Sequence, residues 1–268
     1  MPAELFELEL LGEGIERRYR KMRPEVEAMP WGTLDASKIP EKARILARKA
    51  WTGAAYQEHR TGVGCCATLR ALMECRAPLD LIAMASRFPL DELVHVELCA
   101  RMAMELGGGT EIVHDPDEMI ADADPKLSPL LRAADLTIRF FCVGESLSIP
   151  LLRGTWKAAR HPLPRAILGR IVKDEAAHGT FGFTFLDWAL PQLDDEAKAH
   201  LGRQADRAIR GVKRNWDHIR KTGHRTMYEE AGDALMWMQS DQYLALAERS
   251  LEERVRKPLR ERGITITE

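Results

Sequence analysis

The chain has 268 residues, 45% hydrophobic and 30% charged, with a formal net charge of -2. That balance fits one globular domain and excludes a general nucleic-acid binder, which needs a basic surface. No apolar run reaches the ~18 residues that cross a bilayer. The opening MPAELFELELLGEGIERRYR is acidic before it is basic, the reverse of a secretory signal, so the expected location is the cytoplasm. Cys65, Cys66, Cys75, Cys99 and Cys142 form no CxxC pair and read as reduced thiols, most of them buried.

In chain order, residues 1–29 read as one amphipathic helix or two short ones. Residues 30–40, PWGTLDASKIP, form a connector. A long helix over 41–76 ends at Ala77-Pro78, and a second over 79–106 ends at Gly107-Gly108-Gly109. The longest irregular stretch, GGGTEIVHDPDEMIADADPKLSP, leads to a third helix over 129–160. His161-Pro162-Leu163-Pro164 turns the chain into a fourth helix over 165–190, and two more helical blocks follow over 194–221 and 226–256. No alternating strand pattern appears.

Connection lengths set the topology. Short turns make the first and second helices one antiparallel hairpin, and the third and fourth another. The roughly 20 residues between the hairpins can travel the ~30 Å length of a 20-residue helix. The fold class is therefore all-α: one domain over 1–268, with a four-helix bundle over 41–190. An N-terminal helix and connector (1–40) and a C-terminal helical extension (191–268) complete it.

The chemistry lies in a repeated motif. The second helix carries Asp91-Glu92-Leu93-Val94-His95 and the fourth Asp174-Glu175-Ala176-Ala177-His178, so DExxH occurs once per hairpin. Residues three apart share a helical face, so Glu92 with His95, and Glu175 with His178, can each hold one ion. The first helix adds Glu58, its only mid-helix carboxylate. The third adds Glu145, in the apolar FFCVGESLSIPLL, where an uncompensated carboxylate would be costly. Glu58, Glu92, His95, Glu145, Glu175 and His178 are the expected metal ligands, with Glu145 and one carboxylate from the fourth or the first helix expected to bridge two ions, the choice between those two helices left open by the sequence. One Glu from each of two helices plus Glu-x-x-His from the other two is the di-metal carboxylate pattern of helical bundles. By pseudo-symmetry Asp91 is expected to hold the ring of His178, and Asp174 that of His95.

These residues resemble the ferritin-like di-iron superfamily over about 41–190. Its members include acyl-carrier-protein desaturases, aldehyde-deformylating oxygenases, p-aminobenzoate N-oxygenase, the soluble methane monooxygenase hydroxylase and the ribonucleotide reductase small subunit. The resemblance implies two iron ions, with manganese or a mixed pair as the other choice, and reaction with dioxygen. It also implies O2 handling by a hydroxyl one turn past the third-helix carboxylate, here Ser148. Two features depart from particular branches. Ile171 stands where the N-oxygenase type has an extra His. Among Tyr19, Tyr56, Tyr228 and Tyr243, the one nearest a ligand in sequence, Tyr56, should face away from it. A tyrosyl radical is therefore not expected.

The positions one and two turns from the ligands include Thr61, Gly62, Cys99, Phe141, Cys142, Ser148, Phe181 and Gly182. Many are small, which means either room for a substrate or close helix packing. The expected function is an O2-dependent di-iron oxidase or oxygenase acting on a small organic substrate. A ferroxidase without an organic substrate and a binding protein with a vestigial site are the rivals. The two C-terminal helices would cover an access channel or form a homodimer interface. The fifth block, with Arg203, Arg207, Arg210, Lys213, Arg214, Arg220 and Lys221, is either a solvated face or a dock for an acidic electron-donor protein. His59 should project about 100° from Glu58 around the helix. His114, His161, His200, His218 and His224 are assigned no metal role.

Overall fold

A computed structural model describes residues 4–221, 238 and 240–268, with the side chains at 218 and 221 excepted. The start of the block expected at 226, Tyr228 and His224 lie outside the described residues. Among those described, the regular structure is helical, apart from one isolated antiparallel bridge between Leu5 and Val113. No described helix is long and apolar enough to cross a membrane.

Two short helices, α1 (Glu13–Lys21) and α2 (Pro24–Glu27), precede the bundle. They dock through Arg23, which is 1% exposed and reaches Glu97 and Glu27 at 2.7 and 2.6 Å. The first hairpin is α3 (Glu41–Glu74) against α4 (Leu79–Glu105). Helix α4 stops where Gly107, at φ 107°, takes the left-handed conformation that lets the Gly108 N–H reach back to the Ala103 carbonyl at 3.0 Å.

The crossover runs beside Tyr56 and carries a short 3-10 turn, Pro116–Met119. The second hairpin starts at Ser128, whose hydroxyl accepts the Leu131 N–H, with Pro129 at the first helical position. The helix expected over 129–160 is in fact three pieces. They are α5 (Pro129–Thr137), a π-helical stretch Ile138–Glu145, and α6 (Ser146–Ala158). Its partner α7 (Pro162–Ala189) begins three residues earlier than expected, because Pro162 suits a first turn and the His161 ring accepts the Leu163 N–H.

Helix α8 (Asp195–Lys221) crosses the π stretch, and α9 (Ser240–Ser250) packs on α6. A second π stretch (Leu251–Arg256) and α10 (Lys257–Glu261) carry the last block past its expected end.

Two apolar clusters fill the bundle. One contains Leu72, Phe88, Phe141, Phe181 and Phe185; the other contains Trp51, Leu98, Met102, Leu163 and Ile167. Helices α3, α4 and α7 each run from one cluster to the other. Along all three, the polar residues of the motif fall where the clusters meet. Burying two separate apolar blocks thus leaves one internal polar layer.

Candidate metal centre

That layer brings together all six expected ligands. One acceptor or donor atom each from Glu58, Glu92, His95 and Glu175 lie within 4.8 Å of one another. The same holds for Glu92, Glu145, Glu175 and His178. Glu92 and Glu175 belong to both groups, whereas Glu145 belongs to one. The shared positions fall to the two motif glutamates, of which Glu175 is on the fourth helix, as one of the two expected alternatives had it. They sit on facing helices at the centre, while Glu58 and Glu145 approach from opposite flanks.

The site has unmet polar capacity. Both Glu92 oxygens, Glu175 Oε2, His95 Nδ1 and His178 Nδ1 are buried without a hydrogen-bond partner. His178 Nδ1 lies 3.1 Å from Glu92 and 3.2 Å from Glu175, and His95 Nδ1 lies 3.3 Å from Glu175. Lone pairs on every side thus point at two small volumes. Such atoms are costly when buried unless an ion takes them.

Protons show the same strain. Burial, with repulsion from Glu92 and Glu175, pushes the Glu58 carboxyl up to about 8 despite its contact with His95. Burial and repulsion from Glu175 and Glu92 drive Glu145 well above the carboxylate range. Burial also opposes ionisation of Glu92 and Glu175, but contacts with His178 and His95 outweigh it and hold both below that range. Burial disfavours charge on the imidazoles as well. Asp174 and Glu175 nevertheless raise His95 well above its ordinary value, and Asp91 and Glu175 raise His178 to about 12. Without cations the carboxylates are balanced only by protons held on neighbours. Oxygen- and imidazole-binding divalent ions would replace those protons, so the donor set fits a metal pair.

The aspartates stand where pseudo-symmetry predicts, but only one makes a hydrogen bond. Asp174 lies 3.3 Å from His95 Nε2, whereas Asp91 lies 3.6 Å from His178 Nε2, which is buried without a hydrogen-bond partner; each Nδ1 faces the centre. Sequence reading missed the next layer out. Arg87 contacts Asp91 at 3.0 Å and Asp174 at 3.4 Å, and Arg170 contacts Asp174 at 2.6 Å. The signal was present: each arginine stands four residues before the aspartate of its own motif, one helical turn away. A polar cavity of about 310 Å³ opens there, lined by Arg23, Arg87, Asp91, Arg170, Lys173 and Asp174.

The other side of the centre is different. A cavity of about 810 Å³ reaches Glu58, Glu145 and Glu175 and runs outward between Trp51, Leu151, Leu152, Leu168, Ile171 and Trp216. Glu58, 17% exposed at its side chain, is the most open of the six candidate donors because it forms part of this wall. Ser148 also lines it. Its hydroxyl lies 3.1 Å from the Glu145 carbonyl and 3.2 Å from Glu145 Oε2, so it can donate to the ligand carboxylate.

The small neighbours divide between the two expected uses. Thr61, Cys99 and Ser148 border the cavity. Gly62 instead admits the Glu92 side chain, and Gly182 lets α7 approach the backbone of the π stretch. Phe141, Cys142 and Phe181 are core. Tyr56 points away, donating to Glu118 at 2.9 Å, and His59 meets Phe6, so neither is a ligand.

The sequence matches no family model and no curated protein. By structure the chain is similar to an R2-like ligand-binding oxidase, a mutant form with an aerobically reconstituted Mn/Fe cofactor. The TM-score is 0.61 and the identity 18%, over 97% of this chain and 99% of that one. A likeness at that identity shows the fold, and the fold is ferritin-like.

Proposed function

We propose that this chain is a di-metal oxidase that reacts with dioxygen and acts on a small organic molecule held in the larger cavity. The observation that carries this reading is a largely apolar cavity, open to solvent at its outer end, that reaches three carboxylates of a buried six-donor centre. An iron store has no use for such a cavity, whereas an oxidase needs a dry place for substrate beside its oxidant. Iron is the first reading of the metals, and the Mn/Fe cofactor of the structural neighbour makes a mixed pair the second.

When bound, the metal pair supplies the electrons that reduce dioxygen. The chain's residues do the rest. Glu92 and Glu175, which belong to both donor groups, would take part in holding each ion. Asp174 holds the ring of His95, and Asp91 stands 3.6 Å behind that of His178, with each Nδ1 facing inward. Ser148 steadies Glu145 at the cavity wall. The apolar walls exclude water from the reacting face. Arg203, Arg207 and Arg214 on α8 are exposed and form the surface assigned to an electron-donor protein; Arg210 and Lys213 face Glu268 instead.

Anaerobic titration with ferrous iron, followed by mixing with dioxygen under optical spectroscopy, tests the reading. We expect about two ions per chain and a discrete spectral change that scales with them. Failure to bind a pair, or continued uptake into a ferric mineral, would reject it.

A further inference from the structure

We infer that Arg87 is a positioning residue for both histidines of the centre at once, joining the two donor groups through a single guanidinium. This rests on the reading of the six-donor cluster as a metal centre.

Arg87 and Asp91 are one turn apart on α4, and Asp174 comes from the facing helix α7. Arg87 Nε lies 3.0 Å from Asp91, and its Nη2 lies 3.4 Å from Asp174. Asp91 stands behind His178 of one donor group, and Asp174 behind His95 of the other. One side chain therefore touches the backing of both groups. Arg170 does not. It meets Asp174 at 2.6 Å, and its other ion pair is with Glu25 on α2.

Arg87 itself is 62% exposed, and a pair between two exposed groups would contribute little. Its partners decide the matter. The Asp91 and Asp174 side chains are only 5% and 2% exposed, so neither can exchange the guanidinium for water. Asp174 would keep Arg170 and the His95 ring if Arg87 were lost. Asp91 would not be so covered: among the described residues, Arg87 is the only arginine or lysine paired with it. Packing on Phe88, at 4.2 Å between ring centroids, also restrains the His178 ring. What Asp91 adds is an acceptor facing Nε2, which favours the ring form whose Nδ1 is free for an ion. The bridge needs two N–H groups held apart in one plane. Lysine offers a single point charge and can serve one aspartate, not both.

Proton–nitrogen NMR of the imidazole rings in the metal-free full chain, with chelator competition for ferrous iron under anaerobic conditions, tests this. Arg87→Gln should shift the ring signals of His95 and His178 together and weaken binding of the ion pair by about tenfold or more. Arg170→Gln should shift His95 alone, and Arg87→Lys should restore one ring at most. Rings unmoved by Arg87→Gln, a response from only one of them, or full recovery by lysine overturns the proposal. So does a lower Tm with rings and metal affinity unchanged, the mark of a merely structural residue. Ion uptake by the unaltered chain separates this inference from the one beneath it. No uptake, with both rings answering to Arg87, would sink the metal reading and leave the bridge standing. Two ions bound, with rings indifferent to Arg87, would do the opposite.

Discussion

Behind the two histidines, the centre is backed by Asp91 and Asp174 and then by Arg87 and Arg170. On the opposite side, Glu58, Glu145 and Glu175 face a cavity walled by Trp51, Leu151, Leu168 and Ile171. Both sides are built on the same bundle, and they divide the labour. Where side chains must not move, carboxylates and guanidinium groups tie them down. Where something must come and go, the wall is largely apolar, with the carboxylates of the centre at its inner end and charged side chains such as Arg60, Asp117 and Glu118 also lining it. A centre needs both, because ions need rigid donors and a substrate needs an open, dry approach.

The sharpest way to break this division is at the donors shared by both ion groups. Glu175→Ala should abolish binding of the pair, whereas Glu58→Gln should spare the ion held by Glu145 and His178. Metal content per chain after anaerobic loading reads the difference. If Glu175→Ala keeps both ions, the shared-donor geometry is wrong.

The next largest effect belongs to the histidine side. Asp174→Asn should weaken metal affinity by about 10–100-fold and leave binding in the apolar cavity untouched. Asp91→Asn should cost less, since Asp91 lies farther from its histidine and contacts fewer cations. Competitive titration with a metal-sensitive chelator measures both, and equal losses would contradict the asymmetry.

A converse test sits on the carboxylate side. Ala54, on α3 in the cavity wall, can be changed to Phe. Ala54→Phe should weaken binding of decanol, an apolar probe of the cavity followed by calorimetric titration, by about tenfold with metal stoichiometry unchanged. Loss of metal along with ligand would show that the two sides are not separable.

The smallest effect concerns the scaffold between them. A side chain at Gly182 would meet the Cys142 backbone nitrogen at 2.9 Å, whereas one at Gly144 would find its nearest neighbour at an ordinary 3.5 Å. Gly182→Ala should therefore destabilise by about 1–3 kcal/mol, a fall of several degrees in Tm, and Gly144→Ala should be near neutral. Calorimetry of the two variants settles whether close approach of α7 shapes the π stretch.

The bundle was legible because helix periodicity is local: proline and glycine breaks bound four long helices, and loop lengths alone fixed which pairs are hairpins. The ligand set was legible because a three-residue spacing places Glu and His on one face, and because Glu145 stands conspicuously alone among apolar residues. Even the crossed pairing of Asp91 with His178 and Asp174 with His95 followed from the repeat. Three features were not readable. The π stretch uses no distinctive residues, because a wider turn is imposed by packing against α7 and α8. Which carboxylates are shared depends on the relative height of four helices, a distance between elements that spacing within each one does not encode. The division between packing glycines and cavity-lining residues was likewise decided only by what arrived opposite them, since a small side chain permits close contact and open space equally.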